Sequence, residues 1–226
     1  MNLWLKTLCA LAGLAWAGVA DAGVVVGATR VVYDAGKKEA SISVSNPDRS
    51  RPFLIQSWID NPQEGDTTRV PFIITPPLFR LDTEQENVLR IVRAGGHLPE
   101  DRESVFWLNI KSIPATDKNA TNQLLISVNT RIKLFYRPKN LAGNATLAYQ
   151  TLTFSRQGGE LIARNPSPFY ISFASLRVGG QEIKHPGMIA PLGTLRWPLP
   201  TGARGNVSWR AINDFGGTSA PASVPL

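Results

Sequence analysis

The sequence predicts an all-β chain of two sandwich domains, and three observations carry that prediction. Runs of β-branched and aromatic residues alternate with polar ones along nearly the whole chain. Gly, Pro, Asn and Asp cluster between these runs at short intervals. No window combines a helical period with a capped start and a glycine stop.

Taken in order, the predicted strands are EASISVSN (39–46), RPFLIQSWID (51–60), VPFIIT (70–75), NVLRIVR (87–93), SVFWLNIKSI (104–113) and QLLISVNTRIKLFY (123–136). The separators NPDRS, NPQEGD, TPP, AGGH and TDKNATN are turn formers. About seven short strands at this spacing are the mark of an immunoglobulin-like sandwich, whose last strand ends at Pro138. KNLAGNAT (139–146) reads as a linker. A second, smaller β pattern follows in ATLAYQTLTFSR, ELIARN, PFYISFASLRV, GMIAPLGTLRWPLP and GNVSWRAIND.

Residues 1–22 stand apart from this pattern. One early cation, Lys6, precedes an apolar run over 8–19 and then Ala20-Asp21-Ala22. That is the order of a secretory signal, and the run is short for a bilayer span. Cleavage is expected after Ala22, with Ala17 the weaker alternative, giving domains over 23–139 and 140–226. No later segment reads as a membrane helix, so the expectation is an exported, soluble protein without membrane insertion. Cys9 is the only cysteine and lies in the signal, so thiol catalysis, thiolate metal sites and disulfides are excluded from the mature chain. The net charge of +7 survives cleavage, because Lys6 and Asp21 cancel. No block of five cations occurs, which points to solubility and one local anion site rather than nucleic acid.

Catalytic constellations are scarce. His97 and His185 are loop residues, no G-x-S-x-G elbow accompanies them, and no H-E-x-x-H or phosphate-cradling loop is present. The acids of PEDRES (99–104) and DTEQEN (82–87) read as solvated turn residues rather than a glycosidase pair. Three glycosylation-type triplets begin at Asn119, Asn144 and Asn206, a pattern with a high chance rate. RIKLFYR interleaves cations with aromatics as a nucleic-acid platform would, but export argues against that partner.

Seven motifs, in this order, carry a resemblance: ATRVVYDAGKKEASISVSN, PFLIQSWID, ITPPLFRL, LPEDRESVFWLNIKSIP, NTRIKLFYRP, NPSPFYISF and INDFGG. Together they resemble the periplasmic pilus-assembly (PapD-like) chaperones over essentially the whole mature chain. The resemblance implies two immunoglobulin-like domains arranged as a boomerang with an interdomain cleft. It implies no enzyme activity and neither metal nor nucleotide cofactor. The implied activity is to bind, fold and cap pilin or fimbrial subunits by donating an edge strand, then to deliver them to an outer-membrane usher.

By that resemblance Leu124, Ile126 and Val128 are the donor-strand side chains, although alternation alone would place them in the chain's own core. Leu125 and Ile132 then become the expected core contributors. Arg30 and Lys133 match the pair that grips a subunit's terminal carboxylate, and charge-assisted hydrogen bonds suit that task. Glu103, Arg137 and Asp214 match an interdomain ionic network. Leu54, Gln56, Thr75, Pro76, Pro77 and Arg90 match an usher-docking surface, for which ordinary strand and turn roles compete. The short segment 113–123 resembles the short-loop class, associated with rod-like fibres. An apolar edge without a client also suggests a self-capping homodimer.

One difficulty is internal to the strand. Lys133 has the opposite parity from Leu124, Ile126 and Val128. Either the strand bulges between Val128 and Lys133, or the cation and the apolar set face different ways. The competing readings of the whole chain are an exported β-sandwich adhesin or carbohydrate-binding module, and a secreted glycosidase.

Overall fold

The computed structural model describes residues 23–116 and 124–226. The expected signal, the Asn119 triplet and the start of the last strand at Gln123 lie outside the described residues. The first domain holds β1 (Val25–Val26), β2 (Arg30–Asp34), β3 (Ala40–Ser45), β4 (Phe53–Asp60), β5 (Phe72–Thr75), β6 (Leu78–Leu81), β7 (Glu86–Arg93), β8 (Ser104–Pro114) and β9 (Val128–Arg137). The second holds a 3-10 turn, Ala148–Thr151, then β10 (Thr153–Gln157), β11 (Glu160–Arg164), β12 (Ile171–Val178), β13 (Gln181–Glu182), β14 (Met188–Ile189), β15 (Thr194–Pro198), β16 (Val207–Ile212) and β17 (Ala222–Val224).

Each domain is a pair of sheets. In the first, β1-β3-β7-β5 faces β2-β9-β8-β4-β6. In the second, β10-β11-β15 faces β13-β12-β16-β17, with β14 beside β12. Alternation explains which side chains meet. Leu89 and Ile91 of β7, Ile55 of β4 and Phe106, Leu108 and Ile110 of β8 point inward and join the buried core with Leu134 and Tyr136. The second core gathers Leu161, Phe173, Leu176, Val178, Trp197, Val207 and Trp209. Trp209 Nε1 donates to the Tyr149 carbonyl at 2.9 Å, so the 3-10 turn satisfies the one polar atom of that indole.

The structure amends the sequence reading in several places. The short strands β1, β2 and β6 had no strong pattern to announce them, and ATLAYQT contains a 3-10 turn instead of continuous strand. Residues 124–127 form no ladder, so the last strand of the first domain begins at Val128. Leu125, expected in the core, is 45% exposed, whereas Ile132 is buried as expected. With no ladder to fix its direction, Leu125 is not held against the sandwich interior.

Candidate functional site

The strand β9 changes status along its length. On one side it pairs antiparallel with β8 from Val128, opposite Ser112, to Tyr136, opposite Ser104, with no shift of register. On the other side β2 runs parallel to it, but only from Arg30 opposite Lys133 onward. Among the described residues, the stretch 128–132 therefore has no strand on that side. Its backbone donors and acceptors there form a template for an added strand.

Unbroken register resolves the difficulty of parity. No bulge intervenes, so even and odd side chains of β9 lie on opposite faces throughout. Ile132, Leu134 and Tyr136 enter the core. Val128, at the start of the ladder, shares that parity and is 55% exposed; before it, outside the ladder, Ile126 and Leu124 are 67% and 86% exposed. These three, with Leu125, Phe53 and Pro114, line an open apolar groove at the end of the sandwich. Apolar side chains thus remain uncovered where the ladder of β9 begins.

The odd face carries Arg131, Lys133, Phe135 and Arg137. Lys133 lies half-buried directly across from Arg30. An aromatic wall supports both cations: Arg30 stands 5.9 Å from the Phe135 ring and Lys133 5.9 Å from the Trp107 ring. Arg131 covers Trp107 at 4.5 Å, and Phe135 meets Tyr170 of the second domain at 5.7 Å. Arg30 Nη1 donates to the Ile212 carbonyl at 3.2 Å, while its buried Nε has no partner. Neither cation forms an ion pair among the described residues. Burial, and then the neighbouring Arg30, pull the Lys133 ammonium below its ordinary pKa. Burial also lowers Arg30, partly offset by Asp214. Two half-buried like charges with unused donors have the chemistry to accept an anion.

Four residues further on, Arg137 is in the opposite condition. Its Nε donates to Glu103 Oε1 at 2.6 Å, and its Nη1 and Nη2 donate to Asp214 at 2.7 and 2.9 Å. Glu103 Oε2 accepts from the Tyr170 amide at 2.7 Å, and the Glu103 amide donates to the Pro168 carbonyl at 2.9 Å. The first domain is thereby bonded to two separate segments of the second. Glu103 is 3% exposed, not solvated as the PEDRES turn suggested, because β8 starts beside it and carries it inward. Burial pushes its carboxyl pKa up, against the pull of Arg137.

The six remaining predicted residues do not share one flat face. Leu54 and Gln56 point outward from β4, whereas Thr75 and Arg90 are cross-strand partners on the other sheet. Pro76 and Pro77 form the crossover between the sheets, held by Ser57, which donates to both of their carbonyls. The set wraps an edge of the sandwich, and Arg90 there grips Glu39 at 2.8 Å. Sequence reasoning missed the aromatic wall. Its signal was present but non-local: Trp107 has outward parity on β8 and falls opposite Lys133 only once register is known. Several acids of the PEDRES and DTEQEN turns are matched by nearby cations: Asp101 by Arg102, Asp82 by Arg80 and Glu84 by Arg49.

Comparison with known proteins gives a consistent picture. Residues 23–142 match the N-terminal domain of PapD, described as a pili and flagellar-assembly chaperone, and residues 147–223 match the PapD C-terminal domain. The chain is 47% identical over 199 residues to the probable fimbrial chaperone LpfB of Escherichia coli O157:H7, covering 86% of this chain and 84% of that one. It is 41% identical over 219 residues to the chaperone protein FimC of Escherichia coli K12, covering 93% and 90%. Among solved structures it resembles the SafB chaperone in complex with the SafA pilin of Salmonella enterica (TM-score 0.82, 38% identity, 92% of this chain and 99% of that one). The E. coli chaperone DraB is similar as well (TM-score 0.80, 40% identity, 90% and 98%).

Proposed function

The chain belongs to the PapD-like pilus-assembly chaperones, and from that premise we propose how its own residues hold a pilus subunit. It is a periplasmic chaperone that assists pilus subunit assembly, in a family that is not an enzyme class. The reading of the site rests on one observation: β9 is an edge strand until Lys133, where β2 begins with Arg30.

A subunit strand laid along 128–132 occupies the line of β2 and must stop where β2 starts. Charge then decides its direction. An amino terminus arriving between Arg30 and Lys133 would be repelled, whereas a carboxylate is bound through charge-assisted hydrogen bonds. The subunit strand therefore runs parallel to β9 and ends at the cation pair. That fixed end sets the register along β9. Leu124, Ile126 and Val128 then enter the core of the subunit, which lacks a strand of its own.

The test is co-expression with candidate pilins, comparing retention by wild type, Arg30→Ala and Lys133→Ala. Retention by both variants equal to wild type would sink the carboxylate anchor. Three further parts belong to the same proposal. The outer-membrane usher docks on the edge bearing Leu54, Gln56, Thr75, Pro76, Pro77 and Arg90; substitution there should block pilus assembly while leaving subunit binding intact. Without a client, the uncovered edge caps itself against a second copy, giving a dimer in sedimentation at high concentration. Secretion removes residues 1–22, which N-terminal sequencing of the periplasmic protein will read as Gly23.

A further inference from the structure

The sequence motif INDFGG ends in a turn whose role in fixing the domains uses Asp214 and leaves Phe215 over. Phe215 is 96% exposed, more than any other large apolar side chain among the described residues. A lone exposed aromatic on a loose loop would require no explanation. This turn is not loose. Asn213 Oδ1 accepts from the Phe215 amide at 3.0 Å and from the Gly217 amide at 2.9 Å, and the Asn213 amide donates back to the Gly217 carbonyl at 2.8 Å. Asp214 is clamped by Arg137. Gly216, with φ near +85°, lies so close to Thr29 that a Cβ there would collide with the threonine hydroxyl.

Thr29 immediately precedes Arg30, so this turn packs against the start of β2, beside the cation pair. We infer that Phe215 is a specificity-determining contact for the last side chains of the client strand, selecting an apolar or aromatic residue at the carboxyl end. This rests on the anchor reading given above. A ring held by a fixed backbone loses only two side-chain torsions on binding, which makes it an efficient apolar contact. Packing a client side chain over it also excludes water from the carboxylate and its two cations, strengthening their attraction.

The experiment is a two-by-two comparison with synthetic peptides of alternating Val and Thr. One ends in Phe and one in Gly, each with a free carboxylate, and each is also made as the C-terminal amide. Affinity is measured by calorimetry for wild type, Phe215→Ala and Phe215→Tyr, whose melting temperatures should coincide because the ring is solvated. Phe215→Ala should weaken the Phe-ended peptide roughly fivefold while changing the Gly-ended peptide little, and Phe215→Tyr should restore binding. Equal affinities for wild type and Phe215→Ala, or an equal loss on both peptides, overturns the inference. The amides separate this from the anchor: their loss of binding supports the carboxylate site whatever Phe215 does. Full binding of the amides, or no binding of either acid by wild type, overturns the anchor and this inference with it.

Discussion

Arg137 and the pair Arg30 and Lys133 occupy the same face of the same two-strand boundary, four residues apart along β9, and they are opposites in electrostatics. Arg137 meets two carboxylates and is held above its ordinary pKa, since their hydrogen bonds and charges outweigh its own burial. Lys133 and Arg30 meet each other and are both held below theirs. A buried cation is thus characterised by what surrounds it. One that is saturated by its own chain holds the fold together. One that is desolvated and left unsaturated stores an unfavourable interaction that an external anion relieves.

Four variants probe that contrast. The largest expected effect on stability comes from Arg137→Ala, which leaves Glu103 buried without its cation; about 3–5 kcal/mol should be lost in denaturant unfolding. Asp214→Asn removes a more exposed partner and should cost about 1 kcal/mol or less. A loss from Asp214→Asn as large as that from Arg137→Ala would mean the network is not centred on Glu103. Lys133→Ala should reverse the pattern, leaving thermal stability unchanged or raised while subunit retention fails. If it destabilises like Arg137→Ala, Lys133 is structural. The triple change of Leu124, Ile126 and Val128 to Ser should also abolish retention with an unaltered melting curve, because these side chains are exposed already. Unfolding by circular dichroism would assign them to the domain's own core instead.

The smallest effect is in titration. Because the folded pKa of Lys133 is depressed, its contribution to stability is complete above the unfolded lysine value of about 10.4 and is lost as pH falls through the lower folded value. If Lys133 grips the client's carboxylate, client binding should have the inverse dependence, weakening once Lys133 deprotonates. Arg30→Ala removes the like charge and should move the Lys133 midpoint, read by NMR of labelled lysine, back upward. A midpoint that does not move would show that burial alone sets it.

Much of this was legible in the sequence, for identifiable reasons. β4, β7 and β8 alternate cleanly because one face of each is buried, and Glu103, Arg137 and Asp214, which the resemblance singled out, lie within hydrogen-bond reach of one another through Arg137. β2 was not legible as a strand, since RVVYD is short and its partner lies about a hundred residues away in sequence. The phase of Lys133 was equally out of reach, because only register against β8 shows that the alternation never breaks. Leu125 failed for a related cause: periodicity was carried past the point where the ladder stops.

The unbroken alternation of β9 has a consequence for discrimination. From Val128 onward, apolar side chains and cation occupy opposite faces of one ladder, so under the proposed anchor a client would be screened on two independent counts at once. An apolar strand with no free carboxyl end satisfies one face, and a charged tail with no apolar vacancy behind it satisfies the other. On the proposed reading, neither would be retained on half of the match. Such a strand would work as a logical conjunction, with a false-positive rate equal to the product of two separate rates.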